Sequence, residues 1–102
     1  MHVVKPSTLR RWSIERPRAK ERLEAWLAIV KKAKWRHPPD MLKSFPKADP
    51  VKVKSGKTVY VFNIRQNEYR LVCAVHFDRP KVFLLRFLTH AEYEEGDWKN
   101  EL

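Results

Sequence analysis

The chain has 102 residues, 43% of them apolar and 12% aromatic, with 22 Lys and Arg against 12 Asp and Glu for a net charge of +10. That length suits one domain with a small core, the composition excludes a disordered chain, and no run nears the roughly 18 apolar residues of a membrane span. The single Cys73, set in the apolar run LVCAV, can form no internal disulfide and is expected buried and reduced; with an opening MHVVKPSTLRRW that lacks a signal peptide's apolar centre, this predicts a cytoplasmic setting.

His2-Val3-Val4 reads as a short strand. Pro6-Ser7-Thr8 then opens a helix over 7–15, with Leu9 and Trp12 on one side. Pro17 suits the first turn of a longer helix reaching about residue 34, where Ala19, Leu23, Trp26, Leu27, Val30 and Ala33 recur at helical spacing. Glu21 and Glu24 come early and Lys31 and Lys32 late, as the helix dipole favours. His37-Pro38-Pro39-Asp40 breaks the pattern, and Asp40 is expected to cap a short helix over 41–45. Pro46 and Pro50 make a wrapped connection, and residues 52–57 read as an exposed basic strand and turn. Three runs rich in β-branched and aromatic residues follow: TVYVFNI at 58–64, YRLVCAVHF at 69–77 and VFLLRFL at 82–88. Their short connections predict antiparallel hairpins. The order β-α-α-β-β-β-α predicts an α+β domain with the N-terminal helices packed on one face of an antiparallel sheet and a short helix from Thr89.

Charge is unevenly spread. Residues 92–102 hold five carboxylates against Lys99, a net −4, which leaves +14 on residues 1–91. A small body this basic attracts a polyanion, usually RNA or DNA. Strand alternation puts Arg70 with Val72, Ala74 and His76, and Arg86 with Val82, Leu84 and Leu88. If both arginines face away from the helices, they offer one surface two guanidinium groups, whose paired donors match phosphate; a carboxylate partner for each is the alternative. The basic run Lys31, Lys32, Lys34 and Arg36 reads equally as a solvated face or a ribosomal RNA contact. Trp12, Trp26 and Trp35 read as core, and Trp98 as an exposed or partner-facing residue.

No zinc-like spacing joins His2, His37, His76 or His90 to Cys73, and two glycines cannot build a phosphate-cradling loop. The segment Thr89-His90-Ala91-Glu92-Tyr93 carries the proton-active residues. Thr89 and Glu92 have the spacing of a capping box, with Leu88 and Tyr93 as its hydrophobic staple. Glu92 is therefore expected to be a cap, and Tyr93 to pack, to contact RNA, or both. His90, at the first helical position, is needed by neither device, and the helix start offers amides to a phosphate.

The strings TVYVFNIRQNEYRLVCAVHF and VFLLRFLTHAEY, with the MHVV start and KKAKWRHPPD at 31–40, resemble the HigB toxins of bacterial type II toxin–antitoxin modules, within the RelE-like superfamily. The resemblance implies a compact α+β RelE-like domain over 1–93, followed by an acidic tail over 94–102. It implies a metal-independent mRNA endonuclease needing no cofactor and acting on translating ribosomes. It further implies silencing by a HigA-like helix-turn-helix antitoxin, through which alone operator DNA is contacted. The positions that match the family are Asn67, Arg70, Arg86, His90 and Tyr93, with Lys57 a weaker match; His90, Arg70, Arg86 and Tyr93 are expected to be catalytic, and Lys57, Asn67, Arg65 and Lys54 to contact RNA. One departure is Gln66, where relatives often carry Gly before the turn Asn.

The cleavage expected is attack of the ribose 2′-OH on the adjacent phosphate, giving a 2′,3′-cyclic phosphate. Arg70 and Arg86 would hold the charge that develops. His90 would carry protons. Tyr93 or Lys57 would assist, their reference values near 10 drawn down by surrounding cations. A basic RNA-binding domain without cleavage, or an inactive antitoxin-binding chain, are the competing readings. The tail over 94–102 either folds over the basic surface or only aids solubility.

Overall fold

A computed structural model describes all residues, Met1–Leu102. His2–Val4 is β1 and Ser7–Glu15 is α1; a 3-10 turn at Pro17–Ala19 leads into α2, Lys20–Lys32, and Pro38–Ser44 is α3. Four strands follow, β2 at Asp49–Lys52, β3 at Thr58–Ile64, β4 at Tyr69–His76 and β5 at Lys81–Thr89, and then α4 at His90–Glu95 and α5 at Trp98–Glu101. No helix is long and apolar enough to cross a membrane.

The strands form one sheet in the order β1-β5-β4-β3-β2. The hairpins make β2 through β5 antiparallel, as their short connections require. β1 joins the far edge parallel to β5, with Val3 beside Val82, so the sheet is mixed. Sequence reasoning from hairpins does not reach β1, whose partner lies most of the chain away. Central β4 is buried on both sides, which explains its unbroken Leu71-Val72-Cys73 run. One face packs Leu71, Cys73, Phe62, Ile64 and Val82 against Leu9 of α1, Leu23, Trp26 and Val30 of α2, and Met41 of α3. Burial pushes the Cys73 thiol far up, so it stays a protonated core residue.

The opposite face holds a second, smaller cluster of Val53, Val59, Val61, Val72 and Trp98, with Leu88 and Tyr93 packed on it. Trp98 is 3% exposed, which corrects its reading as a loose or partner-facing residue. Valines of β3 and β4 would otherwise face water here, and the indole of α5 covers them.

Two further expectations change. Asp40 does not cap α3: the helix starts two residues earlier, at Pro38, and Asp40 Oδ2 instead accepts the Arg36 amide at 3.0 Å. That bond, with His37 nearby, holds the Asp40 carboxyl below its ordinary value. The basic strand expected at 52–57 is displaced to Asp49–Lys52, on the sheet edge, where Pro50 is tolerated because only one side of the strand must pair.

β5 carries a bulge. Val72 pairs with Arg86 but Cys73 pairs with Leu84, which leaves Leu85 over. One extra residue reverses the alternation beyond it. Leu84 and Val82 therefore join the helix-side core, while Arg86 and Leu88 share the other face with Arg70 and Val72. The grouping of Arg86 with Val82 and Leu84 is thus corrected, and the bulge is what brings the two arginines to one surface.

The β3–β4 turn is strained. Arg65 and Gln66 take φ of 53° and 59°, a left-handed conformation that costs a residue with a Cβ roughly 1–2 kcal/mol. Gln66→Gly is expected to raise the unfolding free energy by about 0.5–1 kcal/mol, the relief of strain outweighing glycine's greater unfolded entropy. Urea denaturation measures the gain.

Candidate active site

The end of β5 and the start of α4 lie across from the start of β4, because Thr89 pairs with Tyr69 and Leu88 with Arg70. The capping box turns the chain there: Thr89 Oγ1 accepts the Glu92 amide at 3.2 Å, and Glu92 Oε1 accepts the Thr89 amide at 2.8 Å. His90 is thereby fixed at the first helical position and Tyr93 one turn on, on the same side of α4. The His90 amide donates to Glu68 O at 3.0 Å, which ties α4 to the β3–β4 turn. That bond and the cap occupy the His90 and Glu92 amides, which are therefore not free for a phosphate as the sequence suggested.

Arg70 is the common neighbour. Its Nη1 donates to Asn67 O at 3.0 Å and Tyr69 O at 3.2 Å. Its Nη2 lies 3.4 Å from His90 Nδ1, and its Cζ sits 5.5 Å from the centre of the Tyr93 ring. A guanidinium can only donate, so this contact fits a lone pair on Nδ1 and a proton on Nε2. Nε2 in turn is 3.9 Å from Glu94 Oε1, one helical turn along.

The Tyr93 phenol shifts the opposite way from the sequence expectation. Burial pushes its pKa up, the Asp49 and Glu94 carboxylates add to the rise, and Arg70 only opposes it. A basic surface does not lower a phenol packed into an apolar cluster beside the carboxylates of Asp49 in β2 and Glu94 in α4. Tyr93 therefore stays neutral and able to donate through the ordinary range.

Arg86 stands diagonally across the strands from Arg70, about 7–8 Å away by sheet geometry. It is not free: Nη1 donates to Leu85 O at 2.7 Å, and Nε lies 3.3 Å from Glu101 Oε1 of α5. Trp98 of the same helix stacks on Tyr93, centroids 5.3 Å apart, and donates Nε1–H to Tyr93 O at 3.1 Å.

The remaining predicted residues divide. Asn67 touches the site through its carbonyl. Arg65 lies in the same turn, but its guanidinium is paired with Glu68. Lys54 and Lys57 lie elsewhere. Lys57 enters β3 where β4 reaches Val75 and His76, six or seven residues from Tyr69 and so about 20 Å along the strand. It lines an apolar cleft there with His76, Val59 and Leu102, and the Lys54 amide donates to Lys99 O at 3.0 Å. Sequence reasoning missed Glu68, Glu94 and Trp98. Glu94 was legible as a helical neighbour four residues from His90; Glu68 and Trp98 carried no local signal. No three His, Cys, Asp or Glu side chains converge anywhere.

One protein family, HigB_toxin, described as the RelE-like toxic component of a toxin–antitoxin system, matches residues 19–96. The mRNA interferase toxin HigB of Escherichia coli (strain K12) is 30% identical over 94 residues, covering 92% of this chain and 88% of that protein. The mRNA interferase HigB of Shigella flexneri matches to the same extent. A further mRNA interferase HigB, from Escherichia coli O6:H1, is 22% identical over 95 residues, covering 93% and 90% of the two chains.

Proposed function

The chain belongs to the HigB toxins, the RelE-like toxic components of toxin–antitoxin systems, and on that footing we propose that it arrests growth by cleaving mRNA through metal-free 2′-OH transesterification at the Arg70–His90–Tyr93 cluster. The observation that carries this reading is the position of Arg70, whose guanidinium touches both proton-active side chains of α4.

The chemistry follows from the contacts. A phosphate placed on Arg70 meets two parallel donors and lies beside the Nδ1 lone pair of His90. As Arg70 turns toward the phosphate, Nδ1 is freed to take the 2′-OH proton. Glu94, near Nε2, balances the imidazolium so formed. The 2′-oxygen attacks phosphorus, and the bond to the 5′-oxygen breaks. The leaving alkoxide is far more basic than a phenolate, so the neutral Tyr93 phenol can supply its proton even with a raised pKa. Arg86 adds a second cation where charge grows, once Glu101 gives way. Asn67 and Arg65 border the strand beside the scissile phosphate. Lys54 and Lys57, at the far end of the sheet, contact RNA further along or the ribosome. The partners that fit are a translating ribosome with its mRNA and a HigA-like helix-turn-helix antitoxin, in a cytoplasmic setting.

Mapping 5′ ends of cellular mRNA after brief induction tests the proposal. New ends inside coding regions are expected with the unsubstituted chain and not with His90→Ala. An identical pattern of ends from both chains would sink it.

A further inference from the structure

A second basic feature lies on the other side of the β3–β4 turn. Arg22 of α2 and residues Arg65 to Glu68 line an open cleft of about 460 Å³ with no apolar wall. Two guanidinium groups, those of Arg22 and Arg65, line it with one carboxylate, that of Glu68. Arg65 is paired with Glu68, and Arg18 of the 3-10 turn lies 3.1 Å from Glu68 Oε1. Arg22 has no carboxylate partner, so the lining of the cleft, two arginines against one glutamate, keeps a surplus of one positive charge. Gln66 and Asn67 supply amide groups along the same wall.

This cleft and the active site share one turn. Asn67 O holds Arg70, and Glu68 O holds the His90 amide. The cleft mouth at Asn67 and Glu68 therefore adjoins the residues that hold Arg70 and His90. The turn also keeps non-glycine side chains at two consecutive left-handed positions, Arg65 and Gln66, where a bare glycine would cost less. Strain of this kind clusters at ligand-binding sites.

The geometry points to a second phosphate subsite: Arg22, with Arg65, binds a backbone phosphodiester of the RNA strand beside the scissile one, and the Glu68 carboxylate holds Arg18 and Arg65 apart and oriented until the phosphate arrives. This rests on the RNA-cleaving reading of the neighbouring cluster. It adds to that reading a recognition element drawn from α2, outside the strands and α4 that carry the chemistry.

The test is binding of a single-stranded RNA oligonucleotide, by fluorescence anisotropy over a salt series, in a His90→Ala background so that the RNA survives. Arg22→Ala is expected to weaken binding about tenfold at low salt, the loss of one charge-assisted contact. It should also flatten the slope of log affinity against log salt by about 0.7, one phosphate on a single strand. Arg11→Ala is the control: it removes the same charge from a pair with Glu15 on the exposed side of α1 and should move the slope little. If Arg22→Ala matches Arg11→Ala while the parent binds RNA, the subsite is refuted and the cleavage reading stands. If the parent binds no RNA, both fall together.

Discussion

Arg70→Ala and His90→Ala are each expected to lower RNA cleavage by a factor of about 10²–10⁴, the range for losing a positioned proton carrier or a charge-stabilising donor. Stability should hold, because both side chains lie at the surface end of the sheet and surface changes usually stay within roughly 0.5 kcal/mol. The measurement is single-turnover cleavage of a defined mRNA on ribosomes, with thermal unfolding alongside. The two losses should not multiply. Arg70 and His90 touch, so the double variant is expected to be little worse than either single one. Tyr93→Phe separates the roles on α4. It keeps the ring beneath Arg70 and the stack on Trp98 but removes the donor. Because burial holds the phenol protonated, cleavage should not climb with pH above about 10 as it would if Tyr93 were the base. Full activity in Arg70→Ala and His90→Ala alike would move the chemistry elsewhere on the molecule.

The start of α4 was readable because a capping box is a local device: four residues decide it, and the Thr89 and Glu92 bonds are made as their spacing implies. The three hairpin strands were readable for the same reason, through β-branched runs closed by short turns. Arg86 shows the limit. Its type and position are plain in the sequence, but its facing depends on whether β5 stays in register with β4, and the bulge at Leu85 is settled by packing on two faces at once. The Tyr93 environment is likewise non-local. The cations counted along the chain suggested an easily ionised phenol, while an apolar cluster with Asp49 and Glu94 outweighs Arg70, the one cation that reaches it. Arg22 carried no signal in the sequence, and only the folded turn sets it beside Arg65.

Trp98→Ala is expected to destabilise the fold by about 3–5 kcal/mol, the cost of emptying a buried indole site. That is a large share of the roughly 5–15 kcal/mol that holds a domain together. The loss would also release Tyr93 from its stack and from the bond that Trp98 makes to its carbonyl. Glu101→Gln is expected to act on RNA binding and not on stability. The Arg86–Glu101 pair is exposed and so worth roughly 0–1 kcal/mol, and unfolding in urea should barely change. RNA affinity at low salt should rise by up to about fivefold, because Arg86 no longer has to exchange a carboxylate for a phosphate. The gain should fade in high salt, where both interactions are screened. Cutting the chain after Tyr93 would merge the two effects, a lost anchor and a freed arginine, and its outcome would report neither. The acid-rich segment thus joins an apolar anchor to a carboxylate paired with Arg86, and the point substitutions separate them. An RNA affinity unmoved by Glu101→Gln across the salt series would show that Glu101 leaves Arg86 fully available.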